Sequence, residues 1–163
     1  VPAQMITLTP LPAGRADLIA DLTLTPEQHQ FSDPPAIAYD QADGSRDGHV
    51  IRLGDQIVGF FGIDPDYANE HEFAPPGTIG LRMFSVDHRY QGRGIASSAC
   101  RQLKPYLANR YPGAESVWLT VNHRNPVAKK AYLNGGFSDT GDDYLLGGAG
   151  PQHIMRLDLQ ENE

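Results

Sequence analysis

The strongest chemical signal in the chain is a continuous run, Val86-Asp87-His88-Arg89-Tyr90-Gln91-Gly92-Arg93-Gly94-Ile95-Ala96. A β-rich stretch feeds a glycine-bearing turn that opens a helical pattern. At such a junction the first helical N–H groups have no intrahelical acceptor, and the macrodipole adds roughly half a positive charge. Glycines at 92 and 94 let the backbone approach an anion closely, so the run reads as a cradle for phosphate or pyrophosphate. The alternative is a tight strand-to-helix turn that holds nothing. Arg89 and Arg93 bracket the turn and favour the cradle. Two common phosphate motifs do not fit. Gly92-x-Gly94-x-x-Ser97 has serine where a dinucleotide fingerprint wants its third glycine, and no Gly-Lys-Ser/Thr ending is present.

Charge singles out the same region. The chain carries −7 overall, with −9 on residues 1–81, +5 on 82–110 and −3 on 111–163. One basic island in an acidic chain points to a local site for a small polyanion; the alternative is a solvated helix face. An acidic chain argues against nucleic acid and anionic membrane as partners. The single cysteine, Cys100, rules out an internal disulfide or a cysteine zinc cluster, and it is expected to be half-buried with no role. His71, His88 and His123 are too scattered in sequence to suggest a metal, so none is expected. No apolar run reaches the ~18 residues of a membrane helix, and with a start that does not resemble a signal peptide the expectation is a cytoplasmic protein.

These residues need a scaffold. Met5–Leu11 alternates as a strand, and Leu18, Ile19 and Leu22 suggest a helix over Ala13–Leu22. Thr25-Pro26-Glu27-Gln28 has the form of a helix start, and a short helix begins near residue 36. His49–Leu53 and Gln56–Ile63 flank Gly54-Asp55 as a hairpin, 64–78 reads as a loop, and Thr78–Val86 is a strand. A helix from Gly92 to about Arg110 buries Ile95, Ala99, Leu103 and Leu107, with a kink or early end expected at Pro105. Val117–Val121 is a strand, Asn125-Pro126 starts a helix that stops at Gly135-Gly136, and strands follow from Phe137 and over His153–Leu159. Helices interspersed with a mixed sheet make the fold class α/β (α+β), in a single domain spanning residues 1–163.

Gln91-Gly92-Arg93-Gly94-Ile95-Ala96 resembles the Q/R-x-x-G-x-G/A signature of the GNAT superfamily of acetyl-CoA-dependent N-acetyltransferases. Phe84-Ser85-Val86-Asp87 resembles that family's splayed, bulged strand. Asn125-Pro126-Val127-Ala128 through Gly136-Phe137 resembles its N-x-x-A-x-x-x-Y-x-x-x-G-F block. The departures are Ala96, where glycine is common, and Pro105. The resemblance implies a mixed, mostly antiparallel central sheet with flanking helices. It also implies transfer of acetyl from acetyl-CoA to a primary amine of a small molecule by direct attack in a ternary complex.

Residue by residue, the resemblance implies that amides from Gln91, Gly92, Arg93, Gly94, Ile95 and Ala96, with Ser97 nearby, hold the coenzyme A pyrophosphate. Phe84, Ser85 and Val86 would run beside the pantetheine, with the Val86 N–H on the thioester carbonyl. Asn125 would contact the pantetheine or cap its helix, and the two roles are compatible. Tyr132 would protonate the departing thiolate as general acid, or else pack beneath Phe137. A phenol with an ordinary pKa near 10 holds its proton at pH 7. Glu27, Asp64, Glu70 and Glu72 are candidate bases, and a water chain is the alternative. The Thr25–Phe31 stretch loosely resembles the spermine/spermidine branch, which places Glu27 and Phe31 at an acceptor site for a polyamine. The rival functions are acetylation of a protein or peptide amine and an acyl-CoA sensor without turnover. The assembly expected is a monomer or homodimer.

Overall fold

The computed structural model describes residues 5–25, 34–41, 44–146 and 150–160. Seven strands form one sheet: β1 (Ile6–Pro10), β2 (Asp47–Leu53), β3 (Gln56–Asp64), β4 (Thr78–Val86), β5 (Ser116–Asn122), β6 (Ser138–Tyr144) and β7 (Gln152–Asp158). Their order across the sheet is β1-β2-β3-β4-β5-β7-β6, and all pairs are antiparallel except β4–β5. Among the described residues four α-helices accompany them: α1 (Pro35–Gln41), α2 (Tyr67–Glu70), α3 (Ile95–Arg110) and α4 (Pro126–Asn134). The α/β (α+β) expectation, with a mostly antiparallel sheet, matches this arrangement.

Helix α3 buries the predicted stripe of Ile95, Ala99, Leu103 and Leu107 against Val58, Phe61, Leu119 and Met155 of the sheet. The other face carries two smaller clusters, one around Ile19, Leu22, Val50 and Phe60 and one around Tyr67, Ala74, Trp118 and Ile154. The hairpin turns at Gly54 in the left-handed region (φ +59°), as its sequence requires.

Three expectations about elements are corrected. Between Ala13 and Leu22 only one turn of 3-10 helix forms, Ala16–Ile19. Gly14 stands at φ +76° just before it, which blocks an earlier start, yet Ile19 and Leu22 still reach the core. The stretch 64–78 is not all loop, because α2 lies within it. Of the kink or early end expected at Pro105, the early end does not occur, because α3 continues to Arg110. Proline removes one backbone bond there, but fully buried Leu103 and Leu107 on either side hold the helix to the sheet. The proposed helix start at Pro26–Gln28 lies outside the described residues.

The sheet opens where the site lies. β4 and β5 pair only through Thr78, Ile79 and Gly80 with Ser116, Val117 and Trp118, and then diverge. On its other edge β4 is bulged: Phe60 pairs with Ser85 and Gly62 with Arg82, so Met83 and Phe84 both oppose Phe61. Met83 takes φ +59°, the sole left-handed non-glycine among the described residues. The expected splayed, bulged strand is thus β4.

Candidate active site

A cavity of about 630 Å³ occupies the gap between β4, the turn before α3, and α4. Of the sequence-predicted residues, Phe84, Ser85, Val86, Gln91, Gly92, Gly94, Ile95, Ala96, Ser97, Asn125 and Tyr132 all line it. Arg93 does not; its guanidinium lies over the Tyr90 ring at 5.4 Å. Glu27 and Phe31 lie outside the described residues.

Backbone shape explains the turn. Gly92 and Gly94 stand at φ +79° and +77°, and a Cβ built at either meets nothing within 4 Å. Glycine is needed for the conformation, while the space in front of it stays open. The first helical bond runs from the Ser98 N–H to the Gly94 carbonyl at 3.0 Å. The amides of Ile95, Ala96 and Ser97 therefore precede the helix's own ladder. An anionic pyrophosphate fits such a cradle.

The strand side is equally open. The Asp87 N–H donates to the Val58 carbonyl across the β3–β4 pair at 2.8 Å. By alternation the polar groups of Val86 face the gap. The Val86 carbonyl there accepts from the Gln91 side-chain amide at 2.9 Å, which fixes the turn to the strand. Beneath it Asp87 is buried and accepts from the amides of Arg89 and Thr23 and from both Nε and Nη2 of Arg89. Burial pushes the Asp87 carboxyl up, but these donors outweigh it and hold it below the usual carboxylate range. Arg89 is thereby committed to Asp87 and does not serve as a free cation at the turn. Two other basic-island residues lie elsewhere: Arg82 over Tyr67 and Arg110 over Tyr106. Lys130 of α4 lines the cavity instead.

Two predicted residues combine their alternatives. Asn125 caps α4 by accepting from the Ala128 N–H at 3.4 Å while bordering the cavity. Tyr132 is 8% exposed, packs between Phe84 and Phe137 with ring centroids 5.7 Å from each, and also faces the cavity. Burial, and then the neighbouring Cys100, push its phenol well above the ordinary value, so it keeps its proton. The Ser97 hydroxyl accepts from the Asn134 side-chain amide at 3.1 Å, tying α3 to α4 along the cavity wall.

The candidate bases fare differently. Asp64 is fully buried and Glu70 is exposed; both lie beside Arg46, at 3.5 and 3.6 Å. Neither they nor Glu72 line the cavity. Cys100 is fully buried rather than half-buried, and burial raises its thiol pKa to about 12, which leaves it unreactive. Among the lining residues that sequence reasoning missed are Leu24, Lys130 and Asn134. Lys130 and Asn134 were reachable, because they share a helical face with Tyr132's neighbours; Leu24 arrives from a distant segment and carries no local signal.

The sequence model of the Acetyltransferase (GNAT) family matches residues 16–137. An N-acetyltransferase of Bacillus subtilis, YbbJ, is 30% identical over 143 residues, covering 84% of this chain and 87% of its own. The spermine/spermidine N(1)-acetyltransferase of Bacillus subtilis is 30% identical over 88 residues, 53% of this chain and 55% of that protein. Among solved structures, the aminoglycoside acetyltransferase AAC(6')-Ib with ribostamycin and coenzyme A superposes with a TM-score of 0.74 at 15% identity. That match covers 94% of this chain and 93% of the other. The spermidine N-acetyltransferase of Vibrio cholerae with coenzyme A and spermine gives 0.66 at 17% identity, covering 94% and 95%. Among the described residues no helix is long and apolar enough to cross a membrane.

Proposed function

This chain belongs to the Acetyltransferase (GNAT) family, and from that premise we propose that it acetylates a primary amine of a small polycationic molecule, polyamines first, by direct attack in a ternary complex. The observation that carries the reading is the single cavity wall on which the glycine turn, the open edge of β4, Asn125 and Tyr132 meet. Residues 1–163 are read as one N-acetyltransferase domain.

Bound acetyl-CoA supplies an activated acetyl thioester. The amides of Gly92 to Ala96, with Ser97 beside them, hold the pyrophosphate, and Lys130 adds a nearby positive charge. Phe84, Ser85 and Val86 orient the pantetheine along the unpaired strand edge, where the Val86 N–H polarises the carbonyl. Asn125, at the start of α4, positions the arm. Tyr132, kept protonated by burial, would donate its proton to the sulfur as the C–S bond breaks and be restored by the proton that the attacking nitrogen loses. Phe84 and Phe137 pack on that ring and hold it in place.

A polycationic acceptor is supported by the −9 charge of residues 1–81 and by the relatives, which include a spermine/spermidine acetyltransferase. Glu27 and Phe31 are the residues proposed to meet it. Small-molecule acceptors are favoured over peptides by the same relatives, and a proton-bearing Tyr132 favours turnover over a sensor. Thiol release from acetyl-CoA with a panel of spermine, spermidine, aminoglycosides, amino acids and peptide N-termini tests the reading. Turnover with polyamines is expected. Turnover with peptides alone would replace the acceptor and leave the enzyme class standing; no turnover with any amine would overturn the reading.

A further inference from the structure

On the flank of the molecule, the strand order assembles a cluster that sequence spacing conceals. His123, Asp143 and His153 each bring a ligand atom within 4.8 Å of the other two. Their backbones are fixed. His153 pairs with Asp143 across β6–β7 and with Val121 across β5–β7. His123 follows β5, and its N–H donates to the Pro151 carbonyl at 3.1 Å. The His123 Nε2 lies 2.8 Å from Asp143 Oδ1, and the two imidazoles stack with centroids 3.9 Å apart and planes 8° from parallel. A further carboxylate, Asp139, is held by Lys129 Nζ at 2.8 Å and the Gly141 N–H at 2.9 Å. It sits 3.6 Å from His153 Nδ1.

We propose that His123, Asp143 and His153 form a three-ligand site for a divalent transition-metal ion of the zinc class. Two imidazoles and one carboxylate suit zinc, cobalt, nickel or copper, whereas magnesium and calcium prefer all-oxygen sets. Bonds of about 2.0–2.2 Å to a common ion draw ligand atoms to within roughly 4 Å of each other, so only a small closure is required. The nitrogen lone pairs of stacked rings lie in parallel planes, and one ring must turn to point at the ion. His123, whose side chain is 38% exposed, has the room. Asp139 beside Nδ1 then orients His153 from outside the coordination sphere, the carboxylate–histidine arrangement common at such sites. The three ligands leave a fourth position for water.

The site lies two residues before Asn125. A bound ion therefore staples the β5–α4 turn, which borders the coenzyme cavity, to the β6–β7 hairpin. This inference is independent of which amine the enzyme uses.

Titration of the chelator-treated full chain with Zn²⁺ by calorimetry tests it. Binding of a single ion per chain is expected, with visible d–d bands for four-coordinate Co²⁺ and no heat with Mg²⁺ or Ca²⁺. His123→Ala and His153→Ala should each weaken Zn²⁺ binding about tenfold or more, on the scale seen when supporting groups are removed from metal sites. Should His153→Ala melt early, His153→Gln provides the same comparison in a folded chain. Absence of Zn²⁺ binding by the wild type, or equal binding by the His123→Ala/His153→Ala double variant, overturns the site.

Discussion

Tyr132 is where packing and chemistry make opposite demands on one side chain. Its ring is clamped between Phe84 and Phe137, and the residue lines the cavity. Tyr132→Phe keeps the ring contacts and removes only the proposed proton donor. We expect kcat to fall about 10²–10⁴-fold with acetyl-CoA affinity nearly unchanged. A thermal melt should register about 1 kcal/mol or less. Saturating kinetics check this, and a kcat within about twofold of wild type would leave packing as its only role. At the turn, Gly94→Asp should weaken acetyl-CoA binding about 100-fold, because it places a carboxylate where the proposed cradle would hold a pyrophosphate, a like-charge cost of several kcal/mol. Gly94→Asn has the same shape and tolerates φ > 0, so calorimetry on both variants separates charge from backbone strain. These residues were legible because each motif is contiguous: the chemistry and the turn that aims it are written in the same dozen letters. Arg89 misled for a physical reason. Its attraction to the buried Asp87, two residues away, outcompetes any role at the cavity mouth.

Among elements, the α3–α4 contact sets the width of the cavity. A Cβ on Gly135 would lie 2.6 Å from the Cys100 Cβ and 2.7 Å from its carbonyl carbon and oxygen. Backbone of a long helix cannot yield as a side-chain tip can. Gly135→Ala should cost about 1–3 kcal/mol, or roughly 2–12 °C in Tm, and lower acetyl-CoA affinity as α4 shifts. Gly113→Ala, with open space and no left-handed φ, is the control and should leave the melt unchanged. The sequence marked Gly135-Gly136 as a helix stop, which is half the story; the close approach depends on two helices meeting and has no local signature. Likewise the helical spacing of Leu18, Ile19 and Leu22 correctly announced buried side chains, but a single 3-10 turn was enough to bury Ile19 and Leu22. Strand boundaries from Thr78 to Val86 were readable because a turn signal closes each end. The metal-type cluster was not, since 30 residues separate His123 from His153 and only the β5-β7-β6 order joins them.

For the molecule as a whole, a buried polar network links β2 to the end of α3. His49 is 3% exposed and stacks on Phe61 at 5.0 Å. The Tyr111 hydroxyl donates to Asp47 at 2.7 Å, so His49 Nε2–H donates to the Tyr111 oxygen at 3.0 Å. Nδ1 is then the acceptor for the Tyr106 hydroxyl at 2.6 Å, and the imidazole is neutral. Burial lowers its pKa from 6.5 to about 4, with Asp47 opposing and Arg110 assisting. Between these values the unfolded chain binds the proton and the folded one does not. Stability is therefore retained above pH 6.5 and lost as pH falls towards about 4, by about 3 kcal/mol at most. Melts of wild type and His49→Gln across that window should show a shallower acid slope in the variant. An unchanged slope would assign the acid sensitivity to other groups.

The three-pair join between β4 and β5 has a thermodynamic corollary. A ligand that lies along the open edge of β4 supplies the hydrogen-bonding partner that the neighbouring strand withholds, so the bound protein has the more complete sheet. Binding and folding then draw on the same reservoir. Coenzyme A at 100 times its Kd should raise the unfolding free energy by about 2.7 kcal/mol through mass action. Amide exchange should slow most along Phe84–Val86 and the facing part of β5, and least at the β1 edge. The cofactor pool of the cell would in that case act as a folding buffer, with the enzyme's lifetime against proteolysis rising and falling with acetyl-CoA supply.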